Sequence, residues 1–117
     1  MAESMVTGGP LITASKVQGN NVYDLAGEKI GSVSDLVIEK VSGRTVYAVI
    51  SFGGLFGIGA KYHPLPWEAL KYNEELGGYG VDVNKERLTN APSYESSDFE
   101  WTPRFRSEVD SYYNVQR

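Results

Sequence analysis

Two features of this 117-residue chain have residue types that could do chemistry: the run Gly53-Gly54-Leu55-Phe56-Gly57-Ile58-Gly59-Ala60-Lys61 and a lone histidine, His63. Amides of a glycine loop can cradle a phosphate when a lysine and a hydroxyl residue follow at fixed spacing. Gly54 and Gly59 have that separation, but Ala60 intervenes before Lys61, and Tyr62 stands where Ser or Thr would hold magnesium. No arrangement of these glycines reads G-x-G-x-x-G ahead of a helix. The run is expected to be a glycine-permitted loop crossing a barrel end. Its apolar residues Leu55, Phe56 and Ile58 either tuck beneath the barrel or form a sticky tip for a partner. His63 has no second histidine and no cysteine to join, so a strand role with an ordinary hydrogen bond is expected, the alternative being a pH-sensitive interface contact. Fifteen carboxylates are spread along the chain, and the one adjacent pair, Glu74-Glu75, lies in a loop. An acid/base dyad needs two carboxyls held across a substrate with divergent pKa values. Asp24, Glu28, Asp35 and Glu39 are the best case for a weak cation site, and they read instead as solvated turn and strand residues. With no G-x-S-x-G elbow either, neither an enzyme, a metal nor a cofactor is expected.

The elements that hold these residues are mostly strands. From Leu11 to Val83 short β-type runs alternate with Gly, Asn and Pro. In Arg44 to Phe52, Val46, Ala48, Ile50 and Phe52 share one face and Tyr47, Val49 and Ser51 the other, the period of two of a strand. Both faces are largely apolar, which predicts a central strand covered on both sides. Lys29 to Lys40 places Leu36 and Ile38 on one side, with Asp35, Val37 and Glu39 opposite, and Val41-Ser42-Gly43 is the hairpin loop into the next strand. Gly31 marks a bulge or bend. In Tyr62-His63-Pro64-Leu65-Pro66 the two prolines point their missing donors the same way, so this strand pairs only through the amides of His63 and Leu65 and lies at an edge. Pro66 to Leu70 reads as one helical turn, Lys71 to Asn73 and Tyr79 to Val83 as strands, and Lys85 to Leu88 as a short helix capped by Asn84. After the polar connector Ala91 to Asp98, Phe105, Val109, Tyr112 and Tyr113 recur at helical spacing within Pro103 to Asn114. Such dense aromatics either fold back onto their own barrel or clamp a neighbouring subunit.

Three parts follow: a flexible lead over residues 1–10, a β domain over 11–88 and an aromatic extension over 89–117. The formal charge is −4 and the eleven Lys and Arg form no block, which argues against nucleic acid as a partner. No signal peptide is expected, because Met1 to Gly9 holds Glu3 and no Lys or Arg. No run of about eighteen apolar residues would span a membrane. A cytoplasmic location is the default reading.

Gly19 to Asp24, then Gly27-Glu28-Lys29-Ile30-Gly31-Ser32-Val33-Ser34-Asp35-Leu36-Val37, then Val46 to Phe52 running into the glycine loop, and Pro64-Leu65-Pro66-Trp67 with Leu70 together resemble the PRC-barrel domain. That domain is named for the cytoplasmic part of the photosynthetic reaction centre H subunit, and a related barrel ends a ribosome-maturation factor. The resemblance implies a mainly β fold: a small, highly bent β-barrel of about six strands, with short helical turns and here a C-terminal helical arm. It further implies an assembly module without catalytic residues. The chain is more similar to free-standing bacterial PRC-barrel proteins, some of which carry an extension with Ala-Pro, Trp and Tyr-Tyr, as Ala91-Pro92, Trp101 and Tyr112-Tyr113 do here. The expected function is a protein-interaction or scaffold module acting as a homodimer and toward an unidentified protein partner. Its anchors would be Leu55, Phe56 and Ile58 in the loop and Phe99, Trp101, Phe105, Tyr112 and Tyr113 in the arm. The alternatives are a carrier of a quinone-like or other small molecule, and an accessory protein of a membrane or photosynthetic complex.

Overall fold

The computed structural model describes residues 10–52, 61–95 and 99–117. Leu55, Phe56 and Ile58 lie outside the described residues, as does the lead before Pro10. Six strands form one mainly antiparallel sheet: β1 (Asn21–Tyr23), β2 (Lys29–Ile38), β3 (Thr45–Phe52), β4 (Lys61–Pro66), β5 (Leu70–Asn73) and β6 (Gly78–Val81), in the spatial order β4-β3-β2-β1-β6-β5. The exception is the parallel pair β1 and β6, which matches Val22 to Tyr79 and Tyr23 to Gly80.

The connectivity forces this sheet to curl. β4 and β5 are its two edges, yet only the 3-10 turn Trp67–Ala69 separates them in sequence. A flat six-stranded sheet is about 24 Å from edge to edge, whereas the four chain steps from Pro66 to Leu70 reach at most about 14 Å. The result is a strongly bent half-barrel around Val22, Val33, Ala48, Ile50, Leu65 and Val81, with Leu88 also fully buried.

Local irregularities supply the bend. Val22 pairs with Gly31 and Tyr23 with Lys29, so Ile30 is an extra residue beside Gly31. A Cβ on Gly31 would come within 2.4 Å of the Ser51 carbonyl oxygen, and only glycine permits β3 to approach this closely. The hairpin tip closes as expected, with Gly43 at φ +78°. Ile38 departs from the sequence pattern: a second irregularity between Val37 and Ile38 breaks the alternation near the tip and leaves it 47% exposed rather than inside with Leu36. β3 is second from the edge rather than at the middle of the sheet.

β4 is an edge strand, as its prolines demand. His63 and Leu65 pair across to Ile50 and Ala48. On the outward side Tyr62 exchanges two backbone bonds with Tyr94, at 2.9 and 3.0 Å. Pro64 and Pro66 have no amide to extend that contact, so the connector touches β4 there and moves away.

Among the described residues there are three helices: α1 (Ala14–Val17), α2 (Lys85–Thr89) and α3 (Pro103–Tyr112). α1 is one turn that plugs Val17 into the core; four residues are too few for a helical period to show in sequence. α2 begins at Asn84, whose side-chain oxygen accepts the Arg87 amide at 2.7 Å. No helix among the described residues is long and apolar enough to cross a membrane.

Candidate functional site

The aromatic arm owes its shape to its two ends. At the start of α3, Thr102 Oγ1 accepts the Phe105 amide at 3.1 Å and Pro103 takes the first helical position, where its missing N–H costs nothing. At the end, Asn114 sits at φ +59°. The Asn114 amide donates to the Ser111 carbonyl at 3.2 Å, and the Val115 amide reaches back to Asp110 at 2.8 Å. This paired arrangement is a Schellman motif, in which the left-handed residue reverses the chain. Val115 to Arg117 thereby return toward the sheet.

α3 packs across the outer face of β4 and onto Tyr47 of β3, which explains why β3 is apolar on both sides. Ala48 and Ile50 face the barrel core, whereas Tyr47 and Val49 are buried on the other face and Val109 of α3 is fully buried. Burying Val109 contributes about 1.5 kcal/mol. The Tyr47 hydroxyl cannot be left unpaired there. It donates to Asp110 Oδ1 at 2.7 Å and accepts from Arg106 Nε at 3.2 Å. Burial, then the bond to Asp110, raise the Tyr47 pKa, with Arg106 and Arg117 opposing. Arg117 lies 5.0 Å from the Tyr47 ring centre and pairs with Asp110 and Glu68, each at 3.2 Å.

A band of rings runs along the same face. Trp101 lies 5.2 Å from Tyr47 and 5.4 Å from Phe105; Phe99 stacks on Tyr94 at 4.6 Å and meets Phe105 edge-on at 4.6 Å; Tyr94 stacks on Tyr62 at 5.6 Å. Each such pair adds about 1 kcal/mol beyond its buried area. Tyr47 is buried, while Tyr62, Tyr94, Phe99, Trp101 and Phe105 are half-buried and keep part of their surface in solvent.

Of the residues singled out in the sequence, Phe99, Trp101 and Phe105 come together in this band. Tyr112 and Tyr113 go elsewhere, to α2. The Tyr112 hydroxyl donates to the Arg87 carbonyl at 2.6 Å beneath the Arg87 guanidinium, and Tyr113 packs on the barrel core. All five pack within the one chain. His63 is a buried strand residue, edge-on to Phe52 at 6.0 Å, with Nδ1 unpartnered. The four carboxylates considered for a cation serve separate local roles. Asp24 accepts the amides of Ala26 and Glu28, Asp35 that of Leu36, and Glu39 the Ser42 hydroxyl. Among the described residues no group of His, Cys, Asp or Glu is gathered for a metal ion.

The polar members of the site, Tyr47, Glu68, Arg106, Asp110 and Arg117, escaped the sequence reading. Their one signal was Tyr47, a hydroxyl on the apolar face of a strand and therefore in need of a partner. Beside the arm, two adjoining hollows open. One, of about 250 Å³, is walled by Val37, Ile38, Val46, Trp101 and Pro103; the other, of about 370 Å³, by Arg44, Glu68, Gln116 and Arg117. They share Glu39, Val46 and Arg106.

The family model of the PRC-barrel domain matches residues 10–88. Among curated proteins nothing matches. A solved structure described as the 16S ribosomal RNA processing protein RimM of Pseudomonas aeruginosa is similar at 14% identity and a TM-score of 0.41, over 68% of this chain and 48% of that one. The chain thus spans about half the length of that protein.

Proposed function

Since the chain belongs to the PRC-barrel domain family, we propose that it is a non-catalytic protein-interaction module of the cytoplasm that self-associates as a homodimer. The observation that carries this reading is the band of aromatic rings on the outer face of β3 and β4, stacked on one another, in which Tyr62, Tyr94, Phe99, Trp101 and Phe105 each stay partly open to solvent around the buried Tyr47. Aromatic side chains held rigid by their neighbours lose little entropy on docking and dominate interface energetics. Leu55, Phe56 and Ile58 are proposed as a second contact. Native mass spectrometry of the purified protein tests the reading. A homodimer without added mass is expected, with Phe99→Ala shifting it toward monomer. A monomer at all concentrations overturns self-association, and a retained small molecule overturns the module in favour of a carrier.

A further inference from the structure

We propose that the furrow between the β2–β3 hairpin and the start of α3 binds an extended acidic peptide segment of a partner protein. An apolar side chain of the peptide sits against Val46 and Trp101, and the carboxylate that follows it is held by Arg44 and Arg106. The inference rests on the interaction-module reading and adds the surface and the partner's chemistry.

The two hollows form one furrow because they share Glu39, Val46 and Arg106. The apolar one, at about 250 Å³, equals about eight waters at ~30 Å³ each, held among walls that reward them poorly; one Leu or Phe side chain would displace them with gain. The second hollow is lined by three guanidiniums and two carboxylates. Arg117 is spent on Glu68 and Asp110. Glu39 already accepts the Ser42 hydroxyl. Arg44 and Arg106 make no ion pair among the described residues. Arg106 is moreover preset, because its Nε is tied to the Tyr47 hydroxyl and its guanidinium lies 5.8 Å from that ring's centre. Its terminal nitrogens remain to grip a carboxylate in the forked geometry guanidinium favours. A chain of net charge −4 thus sets two such cations beside an apolar hollow. One apolar anchor followed by an acidic residue matches that juxtaposition. A nucleic acid does not, since its phosphates recur at every nucleotide and the furrow offers two guanidiniums outside ion pairs among the described residues.

Titration of the ¹⁵N-labelled chain with acetyl-Gly-Leu-Glu-Glu-amide, beside its uncharged twin acetyl-Gly-Leu-Gln-Gln-amide, decides the matter. The two indoles are an internal control: Trp101 lines the furrow, whereas Trp67 packs against Tyr79 and the barrel core. The acidic peptide should shift the Trp101 indole and the amides of Val46 and Arg106 while Trp67 stays still, and should bind about 10-fold tighter than the twin. Arg44→Gln, at an exposed side chain outside the core, should weaken it about 5-fold. Equal binding of the two peptides, an unmoved Trp101, or the same shifts from inorganic phosphate alone would overturn the proposal. A dimer in the native spectrum with an unmoved Trp101 sinks the furrow and spares the module. A monomer whose Trp101 responds to the acidic peptide keeps the furrow and removes only self-association.

Discussion

At the level of single residues, the molecule depends on two buried polar groups whose partners lie far away in sequence. Tyr47 joins Asp110 and Arg106 across about sixty positions. Tyr47→Phe leaves the ring but removes the hydroxyl, and should lower the unfolding free energy by about 1–2 kcal/mol in urea titrations. An unchanged midpoint would show that Arg117 alone satisfies Asp110. His63 is buried and neutral; burial, then Lys61, hold its pKa below the ordinary 6.5, with the Pro92 carbonyl opposing. The unfolded chain therefore binds a proton near pH 6.5 that the folded chain refuses until lower pH. Stability from this group is full above pH 6.5 and is lost as the pH falls below it toward the folded-state pKa. The urea midpoint should drop between pH 7.5 and 5.5, and His63→Gln should remove most of that slope; an equal slope in the variant would acquit His63. The structural duty of His63 was legible because a lone histidine beside two prolines has no catalytic company. The duty of Tyr47 was legible only as a need, since nothing near it in sequence could meet it.

Among the elements, those with punctuation were readable and those defined by long-range pairing were not. Asn84 announced α2, the apolar spacing within Pro103 to Asn114 announced α3, and the prolines of β4 announced an edge. α1 went unseen because one turn has no period, and the parallel pairing of β1 with β6 because no local signal encodes it. Two substitutions test the geometry that local chemistry does encode. Gly31→Ala drives a Cβ against the Ser51 carbonyl and should cost about 2 kcal/mol or more, read as a lower melting temperature. Asn114 occupies the left-handed cap that returns Arg117 to the sheet. Asn114→Gly should be neutral or stabilising by up to about 1 kcal/mol, and Asn114→Val destabilising by about 1 kcal/mol. Equal melting temperatures for both would mean that this cap contributes nothing to stability.

For the whole molecule, the arm and the half-barrel are one packing unit with two hydrophobic layers, one inside the curl and one between α3 and the outer face of β3 and β4. A chain ending at Glu95 uncovers Tyr47 and Val49, and should lose roughly 3 kcal/mol or more, with increased binding of a hydrophobic dye. A truncated chain as stable as the whole would make the arm an ornament. The family model ends at residue 88, so α3, which supplies one side of the second layer, lies beyond the matched segment. By itself the sequence determined strands β2 to β6, the Asn84 cap, the edge at β4 and the existence of an amphipathic aromatic helix, because alternation, proline and side-chain capping act within a few residues of where they stand. Tertiary structure alone decided that the helix packs on its own β4 and Tyr47, that Arg117 meets Glu68 and Asp110, and that a furrow opens between hairpin and helix. Those outcomes depend on complementarity between surfaces brought together by the curl of the sheet, and no spacing along the chain encodes it.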